Sequence, residues 1–154
     1  YKSGALSSGD LLEVVRELDI RTVIDLREDL DDVAAEGATL AAAGVTHVSL
    51  PTPQVPSATT VEGFLELMDD ETRYPVLIHC EHGYGRAVLF SALFRMEFEG
   101  WDNERARCAT RSALRLPFSS FDLSEPKGAF LHDYRLRRQG RPEPLGQGPG
   151  TEVR

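Results

Sequence analysis

The sequence predicts an α/β domain in which a mostly parallel central sheet is flanked by helices. Two observations carry this expectation. Short β-branched apolar runs recur at residues 22–26 (TVIDL), 45–50 and 75–79 (PVLIH), the pattern of strands buried on both faces. Between them lie stretches with helical periodicity and their own start and stop residues. Strands separated by helices pair in parallel through crossovers, which leaves helices on both sheet faces.

Taken in order, Ser7-x-x-Asp10 reads as a capping box opening LLEVVREL, with apolar positions 11, 12, 14, 15 and 18. The first strand, TVIDL, is followed by a charged RED. An alanine-rich helix spans 31–43 and stops at Gly44. The next strand is 45–50. PTPQVPSA at 51–58 carries three prolines and is neither helix nor central strand. Thr59-x-x-Glu62 reads as a second capping box, with a helix running to about Glu71. After PVLIH and a glycine-containing loop, AVLFSALFRMEFEG predicts a buried helix ending at Gly100. Asp102 or Asn103 caps a helix to about Leu114, ahead of Pro117, and Pro126 suits the first turn of a last helix through 138. A single domain over 1–138 is expected, with the Gly/Pro-rich 139–154 a mobile tail.

The net charge of −8 is uneven: residues 1–79 carry −10 and residues 80–154 carry +2. Overall acidity disfavours nucleic-acid binding, and the C-terminal half is the less repulsive one for an anion. No apolar run is long enough to span a membrane. A cytoplasmic monomer is expected, although the opening YKSG lacks a methionine, so a preceding secretory signal stays open. Cys80 and Cys108 make no disulfide framework, and Cys108 is expected to be an inert core thiol.

The chemistry concentrates in His79–Ala87, HCEHGYGRA. Cys80 falls where a strand ends and Arg86 where a helix begins, with Gly83 and Gly85 between them. Backbone N–H groups of a loop opening a helix converge into an anion site, and glycines let the backbone come close. A cysteine at such a positive end is of the reactive type, and a guanidinium at the far end matches phosphate oxygens as a fork. Nucleophile, anion cradle and fork together describe phosphoryl transfer through a cysteinyl-phosphate.

HC-x2-G-x2-R at 79–86 resembles the signature of the cysteine-dependent protein tyrosine and dual-specificity phosphatase superfamily. The opening through TVIDLRED is similar to the start of small bacterial and atypical dual-specificity phosphatases. The resemblance implies the same α/β architecture, with further helices after the signature loop. It makes Cys80 the nucleophile and Arg86 the clamp, with Glu81, His82, Gly83, Tyr84, Gly85 and Ala87 around the substrate. His79 then tunes the loop by hydrogen bonding. No cofactor is implied, because arginine and amides supply the positive charge. His79, Cys80 and His82 do not make a metal site: no second ligand pair stands at zinc spacing, and His79 should point opposite to Cys80.

Two departures stand out. Ala87 replaces the usual Ser or Thr, whose hydroxyl helps the cysteine leave; alanine also occurs there in the phosphatases of regenerating liver, which implies slow turnover rather than none. The general-acid Asp expected 27–32 residues before the cysteine is missing, and 48–58 holds no Asp or Glu. Glu81, His82 or Asp122 could supply the proton, or the leaving group could need none. A missing acid forfeits ~10²–10⁴-fold.

The substrate is thus expected to be a phosphorylated protein or a small phosphomonoester. Glu81 and Tyr84 stand where phosphoinositide phosphatases carry lysines, against highly phosphorylated headgroups; a soluble inositol phosphate stays open, since cysteine-type phytases can show HCE-x-G-x-G-R. The alternatives are a phosphate-binding pseudophosphatase and another thiolate–anion enzyme, an arsenate reductase or a rhodanese-like sulfurtransferase. Arg107, Arg111 and Arg115, at i, i+4 and i+8, read as a solvated basic face or a secondary anion site.

Overall fold

The computed structural model describes residues 1–114 and 119–137, with backbone only for 111–114. Its order is β1 (Lys2–Ser3), α1 (Ser8–Glu17), β2 (Thr22–Asp25), α2 (Leu30–Ala42), β3 (Thr46–Ser49), α3 (Ala58–Asp69), a 3-10 turn (Glu71–Arg73), β4 (Val76–His79), α4 (Arg86–Phe98), α5 (Asn103–Leu114) and α6 (Pro126–Asp133). The four strands form one parallel sheet in the order β1-β4-β2-β3. The α/β expectation is met.

Strand alternation sorts the core into two layers. Ile24, Val76 and Ile78 face α3 and α4, where Phe64 and Phe90 meet edge-on at 4.9 Å. Val23 and Leu77 face the other way, onto Leu11 and Val15 of α1 and Leu40 of α2. Helix α4 is buried along most of its length, because α5 and α6 cover the side turned away from the sheet. None of the described helices is long and apolar enough to cross a membrane.

Ser7 caps α1 as expected, its Oγ accepting from Asp10 N at 3.2 Å, and Gly44 and Gly100 end their helices at φ 75° and 71°. The second capping box is displaced. Ser57 caps α3, accepting from Thr60 N at 3.1 Å, so the helix begins at Ala58 and Thr59 lies inside it. β1 was not expected; two residues are too few for any periodicity to register.

The last helix stops at Asp133 instead of running to 138. Beyond it the chain turns to bring Tyr134 Oη to Glu97 at 2.7 Å and Arg137 to Asp69 at 2.8 Å. The Asn103 amide reaches the carbonyls of Leu131 and Tyr134, satisfying the helix end.

Two side-chain expectations are corrected. Cys108 is exposed, donating to Glu104 Oε1 at 3.1 Å, because its side of α5 faces away from α4. Arg107 is buried, where it joins Glu104 to the Phe121 carbonyl, and so belongs to neither a solvated face nor an anion site. The side chain of Arg111, all of Arg115 and the expected tail 139–154 lie outside the described residues.

Candidate active site

Cys80 follows β4 directly and is 3% exposed, at the carboxyl end of the sheet where parallel α/β folds bind ligands. The loop then turns through Gly83 at φ 75° into Gly85, which precedes the first residue of α4, Arg86. The turn is braced by β1: Ala5 N donates to Glu81 O at 3.0 Å, and a Cβ on Gly83 would lie 2.7 Å from the Ser3 carbonyl carbon. Among the described residues, no N–H from 81 to 86 donates to another protein group. These donors are available to an anion.

Arg86 is held by one nitrogen. Its Nη1 donates to the carbonyls of Leu26 at 2.8 Å and Thr52 at 2.9 Å, and meets Glu28 at 3.4 Å. Nε and Nη2 have no partner among the described residues, leaving the two-donor edge that matches phosphate. The ends of β2 and β3 thereby aim the side chain from below.

Cys80, Glu81, His82, Tyr84, Gly85 and Arg86 line a cavity of about 180 Å³. His82 and Tyr84 are exposed at its rim, with ring centroids 5.4 Å apart. Gly83 packs behind the loop and Ala87 is fully buried in the core, so neither lines the cavity. Asp122 is not among the residues that line the cavity; its Oδ2 accepts from Ser119 N in the turn before α6. A larger cavity of about 320 Å³ near Tyr1, Tyr74 and Phe94 shares no residue with this one and holds neither cysteine nor histidine.

Two further residues enter the cavity, and sequence reasoning missed both: Gln54 from the loop after β3 and Lys127 from the first turn of α6. Lys127 Nζ donates to Gln54 Oε1 and lies 3.3 Å from where a Gly85 Cβ would stand. Burial, the largest influence, pulls the Lys127 ammonium down from its ordinary range; Cys80 acts upward and Arg86 downward. One signal was available: Lys127 is one of just two lysines in a chain rich in arginine.

Behind the loop lies a buried ionic cluster. Asp25 and His79 are register partners on β2 and β4, so both project to the α1–α2 face, opposite Cys80. Arg27 donates to both Asp25 oxygens at 2.8–3.2 Å and to Glu36 Oε2 at 2.8 Å. His79 Nε2 lies 2.7 Å from Glu36 Oε1, and His47 Nε2 lies 3.7 Å from both carboxylates. Burial alone would push the Asp25 carboxyl up, but the nearby His47 ring and the hydrogen bonds from Arg27 hold it well below the usual carboxylate range. Asp25, Glu36 and His79 also come within 4.8 Å of one another, a spacing that could hold a cation, but the Arg27 guanidinium already takes both Asp25 oxygens and one of Glu36. His47 and Arg27 gave no sequence signal beyond strand parity.

A parallel sheet with cysteine at its carboxyl edge and arginine opening the next helix defines a cysteine-dependent phosphatase domain. Residues 2–121 match the family described as DSP-PTPase phosphatase fused to NAD+ kinase, and the chain belongs to this dual-specificity and tyrosine phosphatase family. The dual specificity protein phosphatase TpbA of Pseudomonas aeruginosa strain UCBPP-PA14 is 35% identical over 108 residues, 69% of this chain and 47% of the relative. The chain thus spans about half the length of the curated relatives it matches. The crystal structure of TpbA in complex with phosphotyrosine aligns with TM-score 0.63 at 26% identity, covering 90% of this chain and 80% of that one. A putative phosphatase from Shewanella putrefaciens CN-32 aligns with TM-score 0.65 at 25% identity, covering 85% and 82%. The catalytic core of Siw14 from Saccharomyces cerevisiae, a PP-IP phosphatase, shares the fold with TM-score 0.70 at 15% identity, covering 88% and 80%.

Proposed function

We propose that the domain hydrolyses phosphomonoesters through a cysteinyl-phosphate, with a protein phosphotyrosine or a related aryl phosphate as substrate. The observation that carries this reading is that Cys80, Arg86 and the loop residues Glu81, His82, Tyr84 and Gly85 line one cavity, with the loop N–H groups and Arg86 Nε and Nη2 unspent among the described residues. The phosphoryl group would sit in the loop, its oxygens taken by those amides and by Arg86 Nε and Nη2. Cys80 attacks phosphorus in line with the leaving oxygen, the Sγ–P bond forms as the P–O bond breaks, and water then cleaves Sγ–P. Arginine and amides balance the charge that builds on the equatorial oxygens. Support for an aryl substrate comes from the exposed Tyr84 and His82 rings at the rim, which offer faces to an aromatic ring, and from the family resemblance to TpbA. A reducing, cytoplasmic setting suits two free cysteines.

The test is steady-state hydrolysis of p-nitrophenyl phosphate by the parent, Cys80→Ser and Arg86→Ala. The reading expects turnover in the parent and its loss in both variants.

Two observations favour a second reading. The loop after β3 presents Gln54, an amide, to the cavity, and the residue after Arg86 has no hydroxyl. A phosphate-binding domain without turnover fits both facts. It predicts vanadate binding by the parent with no hydrolysis of p-nitrophenyl phosphate.

A further inference from the structure

We infer that Lys127 is the proton donor to the leaving oxygen, in the place of the missing carboxylic acid; this rests on the phosphatase reading of the cavity. Three features set Lys127 apart from a surface lysine. It stands in the first turn of α6, where the helix macrodipole favours anions and opposes a cation. It lines the same small cavity as Arg86, a second cation. It is half-buried yet has no carboxylate partner among the described residues; its hydrogen bond goes to the neutral Gln54 amide. Each feature costs stability, and an anionic substrate in the cavity would offset all three.

The bond to Gln54 fixes where the ammonium sits. Gln54 belongs to the loop after β3, the segment that by the resemblance should deliver the acid, and Lys127 reaches that position from the opposite side. An ammonium has three N–H bonds, one of which Gln54 accepts, so two remain for the substrate. Burial draws the ammonium below its ordinary range, which makes its proton easier to give up.

The step balances. As Cys80 Sγ bonds to phosphorus and the P–O bond to the leaving group breaks, a Lys127 N–H proton passes to the leaving oxygen, giving the neutral alcohol and a neutral amine. In the second half, water attacks phosphorus, its proton returns to the Lys127 amine, and Sγ–P cleavage restores the thiolate and the ammonium.

The test compares kcat/KM on p-nitrophenyl phosphate, whose leaving group needs little help, with phenyl phosphate, whose leaving group needs a proton. The enzymes are the parent, Lys127→Met, which keeps the aliphatic stem, Lys127→Arg, which keeps the charge, and Glu81→Gln. Lys127→Met should lose ~10²–10⁴-fold on phenyl phosphate and less than about tenfold on p-nitrophenyl phosphate. Lys127→Arg should behave the same way, because a guanidinium does not release its proton. Circular dichroism and a thermal melt matching the parent report that the variants are folded. Equal losses on both substrates would overturn the inference in favour of simple anion binding. Rescue by arginine would overturn it in favour of charge alone, and a selective phenyl phosphate defect in Glu81→Gln with none in Lys127→Met would move the acid to Glu81. A parent inert on both substrates would remove the phosphatase reading itself, an outcome distinct from the other three.

Discussion

Replacing Asp25 by asparagine keeps the shape of the side chain and removes one charge from the cluster behind the loop. Asp25 is fully buried, and Arg27, 7% exposed, donates to both of its oxygens. Removing one partner of a buried ion pair costs about 3–5 kcal/mol, because the other charge is left without compensation. Arg27 would keep its 2.8 Å contact with Glu36, so the lower end, about 3 kcal/mol, is expected. With a urea slope of about 2 kcal/mol/M, the unfolding midpoint should fall by ~1.5 M. The variant should also change the acid limb. The folded-state pKa of Asp25 lies below its ordinary 3.8, so the unfolded chain binds the proton more readily. The stability this contributes is present above pH ~4 and is lost as pH falls through the lower, folded-state value. Asp25→Asn should therefore lose less stability than the parent on acidification below pH ~4. A midpoint shift below ~0.3 M, or the same acid limb in both proteins, would refute the reasoning.

Other outcomes follow from the same geometry. Gly83→Ala places a Cβ at φ 75° against the Ser3 carbonyl, a strain of about 1–2 kcal/mol before the clash is counted. Weaker vanadate inhibition and a lower melting temperature should appear together. Ala87→Ser should raise kcat and leave kcat/KM unchanged if breakdown of the phosphoenzyme limits turnover, as pre-steady-state burst kinetics would show. Phe64→Ala removes a fully buried ring packed edge-on against Phe90 and should cost ~3–5 kcal/mol by urea denaturation.

The strands β2, β3 and β4 were legible because each is a run of β-branched residues, and α1 and α2 because capping residues and glycines mark their ends. Cys80 and Arg86 were legible because their chemistry needs adjacent residues at fixed spacing. What escaped was long-range. The brace from β1 depends on backbone pairing 75 residues apart, which no local pattern encodes. The cluster of Asp25, Arg27, Glu36, His47 and His79 assembles around three strands and a helix: register sets Asp25 beside His79, His47 stands opposite Val23 on the same sheet face, and Glu36 comes down from α2. Lys127 reaches the cavity because α6 folds back over α4 and α5, a packing decision that the sequence near Lys127 does not announce. Cys108 and Arg107 exchanged their expected environments because a helix covered on one side leaves little room for error in rotational phase.

The central claim is a covalent phosphoenzyme on Cys80. Acid quench of the parent within its first turnovers on radiolabelled phenyl or p-nitrophenyl phosphate, followed by peptide mapping, tests it most directly. One phosphocysteine is expected on the peptide containing residues 80–86, absent from Cys80→Ser. Turnover that persists in Cys80→Ser, or label on any other residue, would contradict it.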